Sequence, residues 1–255
     1  MRFPVSLSFA FAALAALFAC AGAGIEAQAP APSSSSQTAP VQTAPEPAPA
    51  PNYIAIDPLA NVRYDNRYDL SVTMAYAHIK AGPNLLQGAN LGGLNLEASY
   101  WLGKRLGIEG TGRAYLGTSG AAPNAFVNAQ GQTESIQGPF VAEYLFAAGP
   151  EFLGPHNKHG ALIAHVMAGG VYGKFQQDLR GQPTSLVGFY YDQVAPAVVM
   201  GGHLDLNRSP RWVFRMTVDG LLTDYAVNWG SKGRQLDINT AISVGLEYKF
   251  KKTRR

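Results

Sequence analysis

Five histidines, one cysteine and a sparse set of acids and arginines are the side chains here whose types could do chemistry. His156 and His159 stand three apart in turn-like sequence. Zinc wants three or four such ligands, and no acid or cysteine stands beside this pair, so turn polarity is the better reading. Gly110-x-Gly112 lacks the third glycine of a dinucleotide fingerprint and falls in a strand. A G-x-S-x-G nucleophile elbow does not occur. A single cysteine, Cys20, excludes an internal disulfide framework and any CxxC metal site. The expectation is therefore no catalytic, cofactor-binding or metal-ligating residue.

The charges themselves are patterned. Glu97, Glu109, Arg113, Glu143, His165, His203, Asp205, Arg215, Asp219 and Asp237 all sit on the polar phase of segments that alternate with a period of two. In Tyr68–Tyr76 every even residue is large and apolar and every odd one is polar or small. That is a strand with one oily face. The same alternation predicts strands over roughly 68–80, 93–102, 106–117, 136–150, 161–175, 192–206, 212–225 and 235–250. Each is long enough for a tilted membrane strand of ~9–11 residues. The connections alternate long and short, with only 151–160 blurring the contrast. That layout is an up-and-down barrel with short turns at one end and long loops at the other.

Two orientations of such a barrel exist. A soluble, lipocalin-like binder points its oily stripe inward. Here the polar stripe is rich in Gly, Ser, Thr and Ala and poor in lysine, and the apolar stripes run nearly the whole strand. Aromatics (Tyr68, Tyr76, Tyr172, Trp212, Tyr225, Tyr248, Phe250) gather toward strand ends, as membrane girdles do. The oily stripe is therefore expected to meet lipid, and the ten charged and histidine residues to fill the lumen as a hydrogen-bonded network. Inside it Arg113 and Arg215 must be paired with carboxylates, because a lone buried charge is too costly. Whether that lumen conducts stays open.

The rest of the chain differs in material. Residues 1–52 hold three charged residues and eight of the 17 prolines. Met1-Arg2-Phe3 and the apolar run Val5–Ala19 read as a secretion signal within residues 1–23. Leu17-Phe18-Ala19-Cys20 also resembles a lipobox, which would make Cys20 a lipidated N-terminus. Residues 24–52 read as a disordered Ala/Pro/Ser-rich linker, and 53–67 are unassigned. The net charge is +3, but Lys251, Lys252, Arg254 and Arg255 supply four positive charges, so the rest sits at −1. The basic balance is a tail over 251–255 and not a face, which argues against nucleic acid. No apolar run reaches the ~18–20 residues of a spanning helix.

Asn90–Gly117, Phe146–Gly170 and Val213–Tyr225 resemble strands of the bacterial outer-membrane β-barrel family, the OmpA-like small barrels. A sharper motif is Ser243-Val244-Gly245-Leu246-Glu247-Tyr248-Lys249-Phe250, which resembles the barrel-assembly signal, although five residues follow Phe250. The resemblance implies that the barrel-insertion machinery reads Gly245, Tyr248 and Phe250, and that membrane lipid is the other partner. The expected fold is all-β: an eight-stranded antiparallel up-and-down transmembrane β-barrel over residues 68–250, in the bacterial outer membrane. The expected role is structural or surface-interactive and non-enzymatic, with a surface or periplasmic partner not identified. A narrow porin-like channel is the first alternative and a lipid-modifying enzyme the second. For an enzyme, His165 and His203 share inward parity with Ser99 and Ser243, while no Ser–His pair lies on the lipid stripe. Loop aromatics Phe126, Phe189, Tyr190 and Tyr191 read as loop packing ahead of an adhesive surface.

Overall fold

The computed structural model describes residues 57–250 apart from 84, 86, 120–124, 129, 137 and 228–232, and leaves aside the side chains of 125, 126 and 135. Cys20, the secretion signal, the linker, residues 53–56 and the basic tail lie outside the described residues.

Period-two alternation produces long strands: β1 (Tyr68–Ile79), β2 (Ala89–Trp101), β3 (Leu106–Ser119), β6 (Phe140–His156), β7 (Gly160–Lys174), β8 (Gln193–Asn207), β9 (Trp212–Ala226) and β10 (Arg234–Lys249). They pair antiparallel, each with its neighbour in this order, and β1 pairs with β10 to close the barrel. At the seam Val72 faces Leu246 and Thr73 faces Gly245. A side chain at Gly245 would run into the backbone of Val72 and Thr73, which is why only glycine fits there. The long connection between β3 and β6 holds a separate small hairpin of β4 (Ala125–Val127) and β5 (Thr133–Ser135). The connection between β7 and β8 carries one short helix, α1 (Thr184–Val187).

The stripes face as the alternation dictates. Even-numbered Leu70, Val72, Met74, Leu94, Leu96, Phe146 and Val166 point outward, Met74 being 71% and Phe146 69% exposed. Odd-numbered Glu97, Arg113, His165, Asp205 and Arg215 are buried inside. An oily belt around a charged interior is upside down for water, where contiguous apolar patches rarely exceed a few hundred Å². It is the right way round for hydrocarbon, which accepts a sheet only if no edge is left unpaired. At the short-turn rim, Tyr68 packs on Tyr100 at 5.1 Å, and Tyr248 touches both Trp212 and Phe250 at 5.0 Å. Tyr144 and Tyr172 stack at 6.4 Å toward the long-loop rim.

Two expectations are corrected. Residues 151–160 are not a loop: β6 continues to His156, and only Asn157, Lys158 and His159 turn the chain. Gly149-Pro150 and Gly154-Pro155 look like turn sequence, yet a strand tolerates proline where its missing donor has no partner to lose. The β6–β7 pairing skips Gly149 and Pro150, and its register shifts between Leu153 and His156. With that change, the short connections alternate cleanly with the long ones. Tyr225 is the second correction. It shares the odd parity of Arg215 and is fully buried inside the barrel, so it belongs to no girdle.

Residues 57–67, unassigned from sequence, strap the short-turn end. Tyr64 donates to the Asn157 carbonyl (3.0 Å) and accepts from Asn207 (2.7 Å). The Lys249 ammonium lies 4.3 Å from the Tyr64 ring centre, and Lys158 pairs with Asp57 at 3.0 Å.

Candidate functional site

The inward residues meet in three levels along the lumen. Near the short-turn end Asp69 accepts from Trp101 Nε1 (2.6 Å) and from Asn66, and Ser99 donates to Glu151 (3.0 Å). Lys249 reaches Asn207 at 3.2 Å.

The middle level carries most of the charge. Arg215 clasps Asp205 through Nε (2.9 Å) and Nη2 (3.0 Å), and Nη2 also donates to Glu247 (2.9 Å). Its Nη1 lies 3.5 Å from Glu97, which in turn lies 3.6 Å from Arg113 Nη2 and accepts from Ser71 (2.9 Å). Arg113 pairs with Asp219 and donates to Thr111 (3.0 Å). Neighbouring strands bring His165 and His203 together, with Nδ1 and Nε2 3.0 Å apart. Glu109 reaches them from β3, 3.1 Å from each of those nitrogens. The outer nitrogens are held too: His165 Nε2 on Asp219 (2.9 Å) and His203 Nδ1 on Thr217 (2.8 Å).

The long-loop end is closed by aromatic and apolar groups. Phe175, Tyr190 and Tyr225 cluster with ring centres 5.1–5.7 Å apart, Phe175 meeting both tyrosines edge-on, and Phe189 and Val187 are buried with them. Tyr190 donates to Asp237 (2.6 Å), which also lies 3.5 Å from Lys80. Glu143 is fully buried at this level. Phe189 and Tyr190 thus pack inward, while Tyr191 is part-exposed. The side chain of Phe126 lies outside the described residues.

All ten residues picked out by parity are therefore buried, but Glu143 and Asp237 stand apart from the eight that share the middle level. Sequence reading passed over Asp69, Glu151, Glu247 and Lys249, which carry the same odd parity and complete the network. Gly245 lies at the seam, and Tyr248 and Phe250 face outward at the short-turn rim.

What this arrangement can do chemically is limited by burial. Thr217, His203 and Glu109 form a nucleophile–base–acid chain in outline, yet none is more than 1% exposed. Ser99 is engaged by Glu151 and not by a histidine. His156 contacts Tyr64, with ring centres 4.7 Å apart, and its Nδ1 bonds the Gly154 carbonyl.

Tyr190 gives one measurable consequence. Burial first, and then the Asp237 carboxylate it bonds, hold its phenol above the ordinary pKa. The folded state keeps a proton that the unfolded chain releases near pH ~10, so stability falls as pH rises beyond that point. Urea midpoints of the detergent-folded barrel should drop between about pH 9 and about pH 11. Tyr190→Phe should shrink that drop; an unchanged drop would count against the buried phenol.

No protein-family model matches the chain, and no curated protein is significantly similar to it. Solved structures do match in fold. Neisserial surface protein A superposes with a TM-score of 0.50 at 10% identity, over 72% of this chain and 97% of that one. OprG of Pseudomonas aeruginosa gives 0.49 at 10%, over 74% and 98%. Ail of Yersinia pestis, solved with the heparin analogue sucrose octasulfate, gives 0.44 at 20%, over 72% and 99%. Taken with the inside-out distribution of charge and oil, the chain has the architecture of a small eight-stranded outer-membrane β-barrel: a membrane-spanning protein in contact with lipid.

Proposed function

We propose that the chain is a non-conducting, non-enzymatic barrel of the bacterial outer membrane whose role is structural and surface-interactive. Its short turns face the periplasm and its long loops the exterior, following the asymmetry usual in such barrels. The observation that carries the reading is the filled lumen. Arg113 and Arg215 cross the middle within their carboxylate partners, and Phe175, Tyr190 and Tyr225 stopper the long-loop end. The loops and the β4–β5 hairpin are what such a barrel displays. Assembly uses the insertion machinery, which reads Gly245, Tyr248 and Phe250. Burial of Thr217 and His203 supports the absence of chemistry, as no substrate reaches them in this state.

Planar-bilayer recording of the refolded protein tests the reading. The expected result is a silent membrane. Stable ohmic steps that vanish on boiling the sample would favour the narrow channel instead, and altered lipid A masses in cells carrying the protein would favour the enzyme.

A further inference from the structure

The lumen is short of positive charge. Among the described residues nine carboxyl side chains are buried, against three permanent cations, Arg113, Arg215 and Lys249. Around Glu109 no arginine or lysine forms an ion pair among the described residues, and two histidines stand in their place.

The outer contacts fit one tautomer of each histidine that leaves the inner nitrogens free to bind an ion. Asp219, already paired with Arg113, is an acceptor, so His165 carries its N–H on Nε2. His203 Nδ1 meets the Thr217 hydroxyl, which accepts when His203 carries its N–H there. Each imidazole then turns a lone pair inward. His165 Nδ1, His203 Nε2 and Glu109 Oε2 face one another at 3.0–3.1 Å, three acceptors without a donor between them. A metal ion at its centre would bridge all three lone pairs at once. The second Glu109 oxygen, 3.2 Å from His203 Nε2, adds a fourth donor atom. Ligand atoms around tetrahedral zinc sit roughly 3.3 Å apart when bonds are about 2.0–2.2 Å. The groups present need to open by only a few tenths of an ångström. Histidine ligands whose outer N–H is fixed by a carboxylate or other oxygen are the usual outer shell of such sites.

We propose that Glu109, His165 and His203 form a closed structural site for a divalent transition metal, zinc foremost, tying β3, β7 and β8 together across the lumen. Two imidazoles and a carboxylate suit zinc ahead of calcium or magnesium. Burial means that the ion enters while the barrel folds.

The test refolds the full chain from urea into detergent micelles with zinc, removes free metal with chelator and counts zinc by plasma mass spectrometry. Wild type should retain about one ion per chain. His165→Ala and His203→Ala should each lose at least about tenfold, whereas a His156→Ala/His159→Ala double variant keeps it. The heat-dependent gel shift verifies that each barrel has closed. Folded wild type free of zinc, or equal zinc in folded His165→Ala and His203→Ala, overturns the proposal and leaves protons as the cations. Should the single variants fail to fold, cobalt-refolded wild type decides: imidazole-bound tetrahedral cobalt absorbs visibly, and a colourless folded barrel overturns the site.

Discussion

Replacing Arg215 with methionine should destabilise the barrel by about 3–5 kcal/mol, the usual result of stripping one partner from a buried ion network. With a urea slope of roughly 2 kcal/mol per molar, the unfolding midpoint should fall by about 2 M. The side chain satisfies Asp205 twice and Glu247 once and lies near Glu97, all of them buried. Methionine fills much of the volume but leaves three carboxylates facing each other. A triple variant, Arg215→Met with Asp205→Asn and Glu247→Gln, should recover most of the loss, because the penalty comes from uncompensated charge and not from lost shape. Glu97 is shared with Arg113, so deletions at the two arginines should not add. A near-silent Arg215→Met would mean that water reaches these groups, and that would revive the channel.

Val244→Arg should block insertion into lipid vesicles. Val244 points outward on β10 between Met74 of β1 and Met216 of β9. It stands four residues from the rim aromatic Tyr248, a vertical distance of roughly 10 Å for a tilted strand, near the middle of a band ~25 Å tall. Arginine there costs about 2–4 kcal/mol, while Leu236→Arg, close to the long-loop rim of the same strand, should cost no more than ~1 kcal/mol. The fraction of chain with shifted gel mobility after mixing with vesicles reads both. Equal behaviour of the two variants would contradict the depth assignment, and normal folding of Val244→Arg would contradict the outward stripe.

Strand existence and facing were legible in the sequence because both depend on parity alone. Leu70, Glu97, Arg113 and Asp205 could be assigned to a side by counting. Three features were hidden because they depend on more than parity. Pro150 and Pro155 carry the local signature of a turn, and only the skipped pairing with β7 shows that β6 accommodates them. Tyr225 looked like a girdle residue by position along its strand, although its odd number already placed it inside. The meeting of Glu109 with His165 and His203 depends on strand stagger around a closed barrel, which no spacing within one segment encodes. The need for arginine partners was readable; which acid would serve which arginine was not, and Glu247 was not among the acids picked out.

The join between β1 and β10 has a consequence for how the chain matures. Almost the entire barrel sequence separates Val72 from Leu246, so the pairing that seals the cylinder is the most distant in the molecule. Its loop-closure entropy is large, and it cannot form until β10 itself has been made and has reached β1. Until then the nascent sheet carries two sticky margins ready to recruit other strands. Closure by β10 is therefore the latch that removes both margins at one stroke.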